Sequence, residues 1–96
     1  MTTAELVDFQ HLPAGSCLDI ETRNRRYQVE CLGGLAIRIS GHPELCPTPV
    51  AARMLETGVI ERGKSLQFLL DERRPVTTSR IVKLRVERAR TASSIH

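Results

Sequence analysis

Tryptophan is absent from this chain of 96 residues, and only Phe9, Tyr27 and Phe68 are aromatic. A core built without many rings must rely on Leu, Ile and Val, and β-branched side chains favour strands. Cysteine is also scarce. Cys17, Cys31 and Cys46 are odd in number and irregularly spaced, which excludes a fully paired disulfide framework and fits reduced thiols. No run of about 18 apolar residues exists to span a membrane. The N-terminal MTTAELVDF lacks the charged start and apolar centre of a signal peptide, so the expected location is cytoplasmic.

Catalytic motifs are missing too. There is no G-x-S-x-G, no H-E-x-x-H and no glycine loop that would cradle a phosphate. His11, His42 and His96 fall in a lead, a loop and a tail, where surface histidines are common. Asp19 and Glu21 share one strand face, with Arg23 and Arg25 near enough to pair with them. The sequence therefore gives no catalytic residue and no cofactor, and the expectation is a protein that is not an enzyme. His42 and Cys46, with Cys17 and Cys31, could in principle converge on zinc. Without a C-x-x-C pair, the plainer reading is cysteine as a small apolar residue, and no metal site is expected.

What is present is alternation. Hydrophobic residues make up 41% of the chain, and many recur with the two-residue period of a half-buried strand. The clearest run is Arg80 to Arg88, in which Val82, Leu84 and Val86 should point inward and Lys83, Arg85 and Glu87 outward. Leu18, Ile20 and Thr22 alternate similarly before the polar turn Arg23 to Arg26, and Tyr27, Val29 and Cys31 follow it. A four-residue turn there would pair Thr22 with Tyr27, Ile20 with Val29 and Leu18 with Cys31. A three-residue loop, Leu32 to Gly34, would pair Cys31 with Leu35 and Val29 with Ile37, with Gly34 left-handed.

Elsewhere the pattern is less regular. Thr2 to Gln10 has capping-box spacing for a short helix but could equally be a first strand or a lead. Three prolines, Pro43, Pro47 and Pro49, make residues 40–49 irregular. Residues 50–57 read as a strand, with a one-turn helix as the competitor. Leu66, Phe68 and Leu70 share one face of a further strand, leaving Leu69 outside. Thr77, Thr78 and Ser79 could contact an oxyanion, but they more simply satisfy backbone groups where the chain turns.

Short strands broken by turn signals about every 8–12 residues describe an all-β fold, a small antiparallel barrel of about six short strands. The expected organisation is a lead over 1–11, a barrel domain over 12–88 and a disordered tail over 89–96. The elements LPAGSCLDIETRNRRYQVECL, GVIERGKSLQFLL and VTTSRIVKLRV resemble small stand-alone bacterial barrel proteins of unknown function, similar in general pattern to SH3-like barrels. That resemblance implies the fold from Leu12 to Val86 and carries no activity or site residue.

Two surfaces suggest function. Between Arg73 and Arg90 seven basic residues meet one acid, a local balance of +6, leaving −3 for the rest of a chain of net charge +3. Arg80, Lys83, Arg85 and Arg88 could form a nucleic-acid-binding face, although small barrels that bind bases usually add stacking aromatics. A charged strand is also what any solvated face looks like. Leu55, Leu69 and Ile81 fall outside the apolar alternation and would make an oligomer or partner contact. The expected function is a non-enzymatic binding module acting through protein–protein contact or self-association, for example as a homodimer. Nucleic-acid binding is the alternative.

Overall fold

The computed structural model describes residues 2–55, 58–71 and 73–87. The proposed tail over 89–96, Arg88, and the end of the 50–57 segment lie outside the described residues. Among the described residues there are nine strands: β1 (Thr2–Thr3), β2 (Leu6–Asp8), β3 (Cys17–Thr22), β4 (Arg26–Gly33), β5 (Ala36–Ser40), β6 (Val50–Met54), β7 (Val59–Glu61), β8 (Ser65–Leu70) and β9 (Arg74–Glu87). Strands β9, β3, β4, β5, β6 and β8 pair in that order, and β8 pairs back to β9. The chain is thus an all-β protein whose six-strand antiparallel sheet closes by hydrogen bonds into a small, uneven barrel. Strand β1 adds to β9, while β2 and β7 form a separate two-stranded ribbon.

The long strand β9 makes the closure. Its first half pairs with β8, from Leu70 opposite Arg74 to Ser65 opposite Arg80. Its second half pairs with β3, from Thr22 opposite Ile81 to Cys17 opposite Glu87. Both ladders slip once. Between Gln67 and Ser65 the partner strand advances from Thr77 to Arg80, and between Thr22 and Glu21 it advances from Ile81 to Lys83. Each slip inserts an extra residue in β9, a β-bulge that bends the strand and resets which side chains face in.

These bulges correct the reading of the best strand. Leu84 and Val86 are buried as expected, but Val82 is 46% exposed and Ile81 only 1% exposed. Val82 is the bulged residue, so the inward position passes to Ile81. Ile81 is therefore a core residue, and its assignment to an oligomer or partner contact does not hold. Hydroxyls hold the first bulge: Thr78 Oγ1 accepts from the Leu66 N–H at 3.0 Å, and Ser79 Oγ from the Asn24 N–H at 3.3 Å. Thr78 and Ser79 thus serve the backbone, within one continuous strand.

Both hairpins keep the expected faces but slide by two residues. Ile20 lies opposite Tyr27 and Leu18 opposite Val29, because the turn tightens to Thr22–Arg25. The Thr22 hydroxyl accepts from the Arg25 N–H at 3.0 Å and donates to the Arg25 carbonyl at 2.9 Å, closing the shorter loop. Likewise Cys31 pairs with Ile37 and Val29 with Ile39, after which the ladder slips to Gly33 opposite Ala36. Gly34 is left-handed as expected, with φ of 59°.

The first residues pack against the barrel. Among the described residues no α-helix forms. Val7 on β2, Phe9 in a single 3-10 turn at Phe9–His11 and Leu12 just after it are buried, Phe9 completely. Burying these side chains against Ile60 and the barrel end outweighs the weak helix signal of so short a segment. Residues 50–54 form a strand, with Val50, Ala52 and Met54 turned inward. The Pro-rich loop is tied by a bridge between His42 and Cys46, and Gly41 crosses so close to β4 that an added Cβ would meet the Arg26 carbonyl oxygen.

The exchange of Ile81 and Val82 gives a direct test. Ile81→Ala is expected to cost roughly 2–5 kcal/mol in denaturant unfolding, as for a buried large-to-small change. Val82→Ala should stay within about 0.5 kcal/mol. A strand with unbroken alternation would reverse that order.

Candidate functional site

The outer face of β3, β4, β5 and β9 carries the charges first read as a cationic face. Cross-strand register places Lys83 opposite Glu21, Arg85 opposite Asp19, Cys17 between Glu87 and Glu30, and Glu30 opposite Arg38. Four cations (Arg26, Arg38, Lys83, Arg85) thus share the face with four carboxylates (Asp19, Glu21, Glu30, Glu87). Such a face has no net charge to attract a polyanion.

Asp19 is its centre. The Arg26 guanidinium grips it in a two-pronged contact, with Nε 2.9 Å from Oδ1, and Arg85 approaches Oδ2 at 3.6 Å. The hydrogen bonds from Arg26, helped by the charges of Arg26, Arg85 and Lys83, hold the Asp19 carboxyl below its ordinary range despite partial burial. The same contact raises the Arg26 guanidinium. Arg26 and Arg85, not the expected Arg23 and Arg25, are the ion-pair partners of Asp19, while Glu21 lies opposite Arg26 and Lys83. Arg38 and Glu30 add a contact at 3.2 Å.

The thiols and histidines are occupied separately. Burial raises the Cys17 thiol above its usual value, and the neighbouring Glu30 and Glu87 carboxylates add to the effect, so its thiolate is disfavoured. Cys31 and Cys46 are fully buried. His42 Nδ1 accepts from the amides of Glu44 and Leu45, each at 3.1 Å, and His11 Nδ1 lies 2.7 Å from Asp8. Among the described residues no group of three or more such side chains is placed to hold a metal ion. Tyr27 packs edge-on against Phe68 in the core with centroids 6.3 Å apart. Burial raises its hydroxyl, and it presents no platform to a base.

The expected apolar contact is dispersed. Ile81 is inside. Leu69 is half-buried on the outer face of β8, opposite Arg53 and Pro75. Leu55 sits apart, beside a cleft of about 540 Å³ also lined by Lys64, Gln67, Thr77 and Arg80. Among the described residues the exposed large apolar side chains are others: Leu6 (55%), Val82, Val59 (45%) and Leu32. Leu6 and Val59 lie on the same outward face of the β2–β7 ribbon, which Val7 and Ile60 anchor from beneath. The period-two spacing of Leu6 and Asp8 around Val7 was the available signal, masked by the competing helical spacing of Leu6 and Phe9.

Neither a family model, nor a curated protein, nor a solved structure matches the chain.

Asp19 should also mark the acid limb of stability. Its lowered pKa contributes stability that is fully present above the unfolded value near 3.9 and is lost as pH falls through the lower folded value. Asp19→Asn should therefore melt below the parent at neutral pH, with the gap closing below about pH 4. A gap independent of pH, measured by thermal unfolding, would contradict this role.

Proposed function

We propose that the protein is a non-enzymatic binding module, a stand-alone barrel of SH3-like kind, whose contact is self-association through the outer face of the β2–β7 ribbon. The observation that carries this reading is that Leu6 and Val59, each about half exposed, lie diagonally on one face of adjacent strands of a small sheet, Leu6 opposite Glu61 and Val59 opposite Asp8. Asp8 and Glu61 share this face, and ion pairs border it. Glu5 pairs with Arg62 at 3.1 Å, Asp8 with His11 at 2.7 Å, and Glu61 with Lys64 at 3.7 Å. Apolar side chains interleaved with paired charges fit a small, polar protein interface.

A rim carrying both signs favours a second copy as occupant. In a twofold contact the same patch meets itself, so acids of one subunit face bases of the other while Leu6 packs against Val59 of its mate. The role of the fully packed barrel interior is then to hold the ribbon rigid. This moves the expected contact from Leu55, Leu69 and Ile81 to a part of the chain first read as a lead.

Light scattering over a concentration series tests it. The chain should form dimers as concentration rises, and Leu6→Glu should remain monomeric with an unchanged unfolding midpoint. A wild-type monomer at about 1 mM, where an association worth roughly 4 kcal/mol would be evident, contradicts the reading.

A further inference from the structure

A second surface emerges where the barrel closes. The turn after β3 rests on the bend of β9: the Arg23 N–H donates to the Arg80 carbonyl at 3.0 Å and the Asn24 N–H to Ser79 Oγ. On the other side of the bend, the turn between β7 and β8 is bound to the same strand. Gly63 N–H donates to the Ile81 carbonyl, and the Ile81 N–H donates to the Lys64 carbonyl, both at 2.9 Å. Three segments remote in sequence thereby gather Arg23, Arg25, Lys64, Arg80 and Lys83 at one end of the barrel, all of them exposed.

The charges here differ from those around Asp19. Lys64 meets Glu61 at 3.7 Å and Lys83 lies opposite Glu21, whose charge also acts on Arg26. Arg23, Arg25 and Arg80 have no ion pair among the described residues. Guanidinium groups bind phosphate oxygens in a two-pronged fashion and lose less than ammonium groups on leaving water. These three stand on turn tips and along a bent strand rather than converging in a pocket, so the surface fits a chain of anions better than a single small one. Aromatic side chains are absent from it, which leaves no means of stacking unpaired bases.

We propose that this end of the barrel binds the phosphate backbone of a nucleic-acid duplex, without reading its sequence. Phosphate contacts position a protein on a duplex and carry no base information. The site keeps Arg80 and Lys83 of the originally expected set and releases Arg85, which Asp19 neutralises. Its three unpaired arginines lie outside the β2–β7 contact, with which it shares Lys64.

Fluorescence anisotropy with a labelled DNA duplex and an RNA duplex of the same length tests the proposal at about 50 and 200 mM salt. Binding should weaken with salt by a log–log slope near −0.9 per phosphate contacted, about −3 in all. Arg23→Gln combined with Arg80→Gln should weaken binding about tenfold or more, one slope step being lost per contact. Arg73→Gln with Arg74→Gln, an equal charge change at the far end of β9, should leave it within twofold. Preference between the two duplexes identifies the source of phosphate. Absence of binding at the lower salt, equal losses in both double variants, or equally tight binding to polyglutamate would overturn the proposal. Circular dichroism melts of both double variants should match the parent, since all four side chains are exposed.

Discussion

Closure of the sheet through one bent strand is the constraint on which the rest of this structure depends. A six-strand sheet of this size would expose two edges of unpaired backbone groups, and joining them removes that cost. Strand β9 joins them by serving β8 with its first half and β3 with its second. The extra residues near Thr78 and at Val82 supply the bend, and the hydroxyls of Thr78 and Ser79 accept amide hydrogens at the first of them.

The same bend decides which chemistry reaches the surface. It buries Ile81 beside Leu84, displaces Val82 into solvent and splits the basic residues of β9 into two environments. Arg85 continues along the regular part of the strand and meets Asp19, already held by Arg26. Arg80 lies at the bend itself, where the two turns that cover it bring further cations and few acids. Cationic charge that runs the length of β9 is therefore balanced on one face and unbalanced at one end. The N-terminal residues complete the barrel differently: β1 extends β9, while Val7 and Phe9 seal the core and leave Leu6 outside.

Faces were legible in the sequence and registers were not. Period-two alternation identifies which side of β3, β4, β5 and β8 is apolar, and those sides form the core. A slide of two residues leaves that pattern unchanged, so Ile20 opposite Val29 and Ile20 opposite Tyr27 were equivalent until the Thr22 side chain closed the tighter turn. A bulge inverts the pattern, and nothing local in R-I-V-K-L distinguishes Ile81 from Val82. The basic end was hidden for another reason. Asn24 and Ser79 meet across 55 residues of chain, a juxtaposition that depends on closure and not on periodicity. The ribbon of β2 and β7 was obscured because three-residue strands give little pattern to read and depend on tertiary burial for their order.

The central claim is that β9 closes the barrel within one chain, with Val82 bulged. A map of cross-strand nuclear Overhauser effects between backbone protons, taken on a mixture of labelled and unlabelled chains, tests it most directly. The account predicts contacts of Phe68 with Val76 and of Ile20 with Leu84 inside a single chain, with Thr22 opposite Ile81. Contacts of Thr22 with Val82 in an unbroken ladder, or contacts that appear only between chains, would contradict it.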